Sequence, residues 1–152
     1  MELKNTLGYL LAQTARNIHV RMNDFFSGYG LTLEQWTALK LIKENSPLCQ
    51  KELARLNHKS PNTIKALVDR LQSKGLIHRQ EDPSDRRNLI LSLTSEGETL
   101  VARISPMEDK ANALLESPLT KEETVLMKKL LKKNEFLNSC YLLTSLIMCI
   151  HV

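Results

Sequence analysis

The sequence predicts a mainly α chain with one small β-hairpin, and three observations predict it. Apolar residues recur at helical spacing through most of the 152 residues. Two short stretches, Leu76–Arg79 and Leu89–Leu93, have strand composition instead, and a turn-forming run from Glu81 to Asn88 joins them. Immediately before that hairpin, two short helical segments are separated only by His58 and Lys59. Two helices joined this tightly followed by a hairpin make a winged helix-turn-helix. The flanking helices then form a separate helical region for dimerisation.

Taken in order, residues 3–27 read as one long helix. Leu3, Leu7, Leu10, Leu11, Thr14, Ala15, Ile18, Met22, Phe25 and Phe26 give it a broad apolar face, and Gly28-Tyr29-Gly30 ends it. That face is wider than a small core needs, which points to burial against a second copy. Thr32 and Gln35 fit a capping box for the next helix, Leu33 to about Asn45, with Trp36, Leu39, Leu41 and Ile42 inward. Cys49 stands where Ser or Thr ordinarily caps the following helix, with Glu52 three residues on. A thiol is a poor cap, costing roughly 1 kcal/mol against Ser. A thiol at a helix N-terminus can also be activated, so Cys49 is a candidate redox switch as well as a tolerated small residue.

The central segment is the most informative. Gln50 to Asn57 is a short helix with Leu53, Ala54 and Leu56 inward. Ser60 is a good N-cap, and Pro61 suits the first helical position, where no N–H is needed. Ile64, Leu67, Val68 and Leu71 form one apolar face, and Gly75 closes the helix in a left-handed conformation. The other face carries Asn62, Thr63, Lys65, Asp69, Arg70 and Gln72. Spacing alone fits an ordinary helical hairpin equally well. The strand-turn-strand that follows, with Arg86 and Arg87 adjacent at its tip, favours the winged helix.

Thr94 then caps a helix from about Ser95 to Leu115, in which Pro106 should produce a kink or a division. Thr120 and Glu123 form a further capping box opening Lys121–Leu137, with Val125, Leu126, Leu130 and Leu131 inward. Residues 138–152 contain no Asp, Glu, Lys or Arg. This tail is shorter than the ~20 apolar residues of a membrane span. It leaves open an extra element buried in a dimer, a sticky unstructured end, or an accident of where the reading frame stops. The organisation is therefore 1–30 for an N-terminal dimerisation helix, 31–94 for the winged helix-turn-helix, 95–137 for the C-terminal dimerisation helices, and 138–152 for the tail.

Charge narrows the function classes. Residues 51–90 hold nine Lys or Arg against five acids, so the whole net charge of +4 sits there, while the rest of the chain balances. A local excess of this kind suits phosphate. The start lacks a basic region followed by an apolar core, so no signal peptide is expected. Three cysteines without framework spacing fit a reducing cytoplasm. Phosphate-binding loops, dinucleotide fingerprints, His-Glu-x-x-His and Gly-x-Ser-x-Gly are all missing, so no catalytic residue or cofactor is expected. His19, His58, His78 and His151 form no recognisable metal cluster with the cysteines.

The run DPSDRRNLILSLT resembles the wing signature of the MarR regulators, an Asp-x-Arg followed by an apolar strand ending in Leu-Thr. Here those positions are Asp85, Arg87, Leu93 and Thr94. QKELARLN, SPNTIKALVDRLQSKGLI and LTLEQWTALKLI are also similar to that family's patterns, so the resemblance spans about Leu7 to Leu137. It implies a homodimeric, cytoplasmic regulator that binds double-stranded DNA at a roughly palindromic operator, without membrane attachment. A repressor released by a small phenolic or other lipophilic anion is the corresponding expectation, and Arg16, His19 and Trp36 would line the effector cleft. Ser60, Pro61, Asn62, Thr63 and Lys65 lead the recognition helix and are the candidate base readers. Lys51, Lys59 and Arg70 are placed for phosphates, and Asp85, Arg86 and Arg87 form the wing tip. Asp85 cannot itself favour phosphate, so its expected role is to hold Arg87 or the start of the recognition helix. The chain lacks the cysteine near the start of the first long helix that marks the peroxide-sensing branch. A winged helix that binds only protein is the alternative, but it has no need of Arg86, Arg87 and the local charge.

Overall fold

A computed structural model describes residues 2–85 and 87–133. After a short 3-10 turn at Leu3–Asn5, the helices are α1 (Leu7–Ser27), α2 (Leu33–Glu44), α3 (Gln50–Leu56), α4 (Pro61–Ser73), α5 (Ser95–Glu116) and α6 (Lys121–Lys133). Three strands interrupt them: β1 (Leu48–Cys49), β2 (Ile77–Glu81) and β3 (Leu89–Leu93). The described residues divide into two compact units, with the boundary after Ile104, inside α5.

Local chemistry sets most boundaries. Thr6, and not a residue before Leu3, caps α1, because its side chain accepts from the Tyr9 N–H at 3.3 Å. The helix is therefore shorter at its start than periodicity suggests. The capping box at α2 is complete: Gln35 N–H reaches Thr32 Oγ1 and Thr32 N–H reaches Gln35 Oε1, both at 3.2 Å. That at α6 is complete too, with Thr120 N–H on Glu123 Oε2 at 2.8 Å and Glu123 N–H on Thr120 Oγ1 at 3.2 Å. Pro106 stands inside one continuous α5 and does not divide it.

The sheet holds one strand more than the hairpin. β1 pairs antiparallel with β3, Leu48 opposite Leu91 and Cys49 opposite Ile90, giving the order β1-β3-β2. Two residues are too few to carry a readable alternation, so only the tertiary fold reveals this strand. β2 and β3 run in register from Ile77–Leu93 out to Glu81–Leu89.

The core of the first unit gathers Phe26, Trp36, Leu39, Ile42, Leu53, Ile64, Val68, Leu71, Ile77, Leu91, Val101 and Ile104, all at most 2% exposed. These are one face from each helix, closed by the inner face of the sheet. The first half of α1 takes no part: Leu7 is 67% exposed and Leu10 50%. In the second unit Val125, Leu126, Leu130 and Leu131 are likewise exposed, so the inward face expected of α6 has no cover within the described chain.

Candidate nucleic-acid interface

The leading end of α4 is built by a local cap. Ser60 Oγ accepts from the Thr63 N–H at 3.2 Å and lies 2.8 Å from Thr63 Oγ1. Pro61 follows without an N–H to leave unpaired. Ile64, Leu67, Val68 and Leu71 anchor the opposite side of the helix in the core. Ser60, Pro61, Asn62, Thr63, Lys65 and Arg70 are all left exposed, as are Lys51 and Lys59. The turn before the helix is sharp, since His58 takes φ +49°, and the N–H groups of His58 and Lys59 close back on Arg55 and Ala54. This is the six-to-one, five-to-two closure that usually employs glycine. The same closure at the other end of α4 uses Gly75 at φ +70°, with Gly75 N–H on Gln72 and Leu76 N–H on Leu71.

The wing tip is ordered by carboxylates. Asp82 Oδ1 accepts from both the N–H (2.8 Å) and the hydroxyl (2.6 Å) of Ser84, and these bonds hold its carboxyl below the usual carboxylate range. Asp85 Oδ1 accepts from the Arg87 N–H at 3.1 Å, and Asp85 Oδ2 from Asn88 Nδ2 at 3.2 Å. Asp85 thus holds Arg87 by its backbone and leaves its guanidinium exposed. Of the two alternatives for Asp85, the structure favours the turn over the start of α4. Arg86 lies outside the described residues.

Three links between elements tie these parts together, of which the sequence reading gave only the Thr94 cap of α5. Thr94, 7% exposed, donates its hydroxyl to the Gly75 carbonyl at 2.6 Å and accepts from the Gly97 N–H at 3.0 Å. It therefore joins the end of α4, the base of the wing and the start of α5. Gly97 must be glycine there, because a Cβ would stand 2.1 Å from the Leu76 carbonyl oxygen. Lys74 donates to the Gly30 carbonyl and, at 3.1 Å, to Gln35 Oε1. Arg79 of β2 pairs with Asp69 of α4. The basic excess thereby separates into two kinds. Lys74, Arg79 and Arg55, which pairs with Glu52, have partners within the protein. Lys51, Lys59, Lys65, Arg70 and Arg87 make no ion pair among the described residues.

Of the expected effector residues, Arg16 and His19 are exposed and Trp36 is buried. Trp36 is 1% exposed and stacks on Phe26, ring centres 5.2 Å apart. It lies on the same helical face as Leu39 and belongs to the core, as its helical spacing indicates. Arg16 is exposed on α1. His19 Nε2 lies 2.9 Å from Glu34 Oε1, linking α1 to α2 and lowering the Glu34 carboxyl. Cys49 is half-buried and does cap α3, its Sγ accepting from the Glu52 N–H at 3.4 Å. Among the described residues no group of three or more His, Cys, Asp or Glu is placed to hold a metal ion. Nor is any described helix long and apolar enough to cross a membrane. The tail, 138–152, lies outside the described residues.

The MarR family profile matches residues 31–89, the segment carrying α2 through the wing. A crystal structure of MarR is 30% identical, covering 88% of this chain and 90% of that one, with a TM-score of 0.74. The chain belongs to the MarR family. Staphylococcus aureus MepR, solved in complex with DNA, is 27% identical, with 84% of this chain and 95% of that chain covered and a TM-score of 0.79. The transcriptional repressor NicR of Pseudomonas putida is 31% identical over 103 residues, 68% of this chain and 65% of its own. This MarR-family chain is accordingly a DNA-binding transcription regulator of winged-helix fold and not an enzyme.

Proposed function

We propose that the chain is a cytoplasmic homodimeric repressor that grips a roughly palindromic operator and releases it on binding a small phenolic or other lipophilic anion. The observation that carries this reading is the exposed leading end of α4, backed by a buried anchoring face and ringed by cations that make no ion pair among the described residues. Asn62 is suited to adenine, Lys65 to guanine or phosphate, and Pro61 and the Thr63 methyl to thymine. Ser60 orders the helix start on which these readers stand. Lys51, Lys59 and Arg70 meet phosphates and set register, and Arg87, with Arg86 beside it in sequence, enters the minor groove where its potential is most negative.

A second copy is supported by the uncovered apolar faces of α1 and α6. Two recognition helices would then enter successive major grooves roughly 34 Å apart. The repressor direction rests on family membership and on the similarity to NicR. Release by an anion follows from differential affinity: a ligand that prefers one spacing of the recognition helices shifts the population toward it. Arg16 and His19, exposed on α1, are the side chains offered to such a ligand.

The test is fluorescence anisotropy of labelled upstream DNA and a scrambled duplex at two salt concentrations. Tight, salt-sensitive preference for the native duplex is expected, with lower affinity and a shallower salt slope for Arg87→Ala. An Arg87→Ala protein with an unchanged slope overturns the wing contact. Equal weak binding to every duplex selected from genomic fragments overturns the operator reading.

A further inference from the structure

Nine basic residues lie in the DNA-facing segment, and one of them points the wrong way for DNA. Along β2 the side chains alternate, so Arg79 shares the inward face with Ile77, while His78 and Gln80 face out. Its side chain is only 16% exposed, and its Nε is buried without a hydrogen-bond partner. Among the described residues, the one ion pair it makes is with Asp69 Oδ1, on the recognition helix. Position on the hairpin explains why this matters. Arg79 lies opposite the fully buried Leu91. The next rungs outward, Gln80–Ile90 and Glu81–Leu89, hold no buried residue. Arg79 is therefore at the last rung with a buried residue; one rung further Ile90 still pairs with Cys49 of β1, and beyond that the wing is held only by its own ladder and turn.

We propose that Arg79 and Asp69 are positioning residues for DNA binding, a strut that fixes the wing against the recognition helix so that Arg87 and the leading end of α4 meet the duplex together. The proposal rests on the reading of α4 and the wing as the two DNA-contacting elements. The physical requirement is simple. A wing free to swing loses rotational freedom on binding, and that loss is subtracted from every contact its tip makes. A largely covered guanidinium, paired among the described residues with the Asp69 carboxylate, resists this motion, because moving away leaves a partly desolvated charge unpaired. Arg79 itself needs no contact with phosphate.

The experiment is a double-mutant cycle on DNA affinity, using the tightest-binding duplex selected by the wild-type protein from genomic fragments. The variants are Arg79→Met, Asp69→Asn, Arg87→Ala and their combinations, each checked for folding by circular dichroism. Asp69, half-exposed, supplies the arm that folds if Arg79→Met does not. Each single change is expected to weaken binding by roughly tenfold, the size of one good contact. Arg79→Met and Asp69→Asn should flatten the salt slope as Arg87→Ala does, although Arg79 faces inward and Asp69 carries no positive charge to offer a phosphate. Combined with Arg87→Ala, either should add no more than about a further twofold, since the contact it supports is already gone. Arg79→Lys should recover part of the affinity. Effects that multiply in the combined variants overturn the strut and leave the wing reading standing. So does a lowered melting temperature with affinity and slope unchanged, which is a merely structural pair. An Arg87→Ala protein that binds normally overturns the wing reading, and the strut with it.

Discussion

Two residues are held against their own preferences, with opposite consequences for substitution. His58 occupies a left-handed position, φ +49°, at the turn between α3 and α4. A side chain there costs roughly 1–2 kcal/mol, which glycine avoids at some cost in unfolded-state entropy. His58→Gly should therefore raise stability by up to about 1 kcal/mol in chemical denaturation. A clear loss instead would mean that the imidazole contributes to the turn. Gly97 is the reverse case, since any Cβ would stand 2.1 Å from the Leu76 carbonyl oxygen. Backbone cannot yield as the end of a flexible side chain does, so Gly97→Ala should cost about 1–3 kcal/mol. Thr94→Val should cost a similar 1–3 kcal/mol, because it keeps the shape but leaves the Gly75 carbonyl and the Gly97 N–H without their partner. An undisturbed denaturation midpoint in either of these last variants would refute the junction described here.

Elements were legible in the sequence wherever their ends are fixed by neighbours a few residues away. Ser60 with Pro61, Thr32 with Gln35, Thr120 with Glu123, and Gly75 all act within one helical turn, and each cap stands where its residue type indicates. What joins elements was not legible. Arg79 with Asp69, Lys74 with Gln35 and Gly97 beneath Leu76 depend on how elements pack, which no local pattern encodes. Alternation along β2 could have turned Arg79 inward, but it could not have supplied Asp69. Trp36 shows the competing pulls: helical spacing put it in the core, resemblance put it beside a cleft, and burial decided for the core. The wing turn yields a pH prediction of its own. Bonds from Ser84 depress the Asp82 carboxyl in the folded state. A depressed carboxylate stabilises the fold fully above its unfolded pKa of about 4, and that contribution is lost as pH falls through the lower folded value. Asp82→Ala should thus melt below the wild type at pH 7, and the gap should close in acid below about pH 4. A gap that is constant with pH would assign the effect to something other than the carboxylate.

At the scale of the whole molecule, the apolar surface uncovered among the described residues bears on the proposed assembly. Leu126 and Leu130 lie one helical turn apart on α6 and are 53% and 48% exposed, beside Leu131 at 46%. Nothing described in the second unit buries them, while Lys128 and Lys132 keep α6 compatible with water on its other side. Such a helix is stable in the long term only with a partner for its apolar stripe. If that partner is a second copy, the dimer also sets DNA affinity, because two linked half-site contacts gain by effective concentration about 100-fold or more over one. The double variant Leu126→Glu with Leu130→Glu tests both statements at once. Its side chains face solvent in the single chain, so the helix should still form, and circular dichroism should be unchanged. Light scattering should then report a monomer where the wild type is a dimer, and the wild-type melting temperature alone should rise with protein concentration. Affinity for a two-half-site duplex should fall by about 100-fold or more, while affinity for a single half-site should hardly change. A variant that stays dimeric would move the interface away from α6. One that becomes monomeric yet keeps its affinity would show that each chain reads its DNA alone, and the palindrome would lose its physical reason.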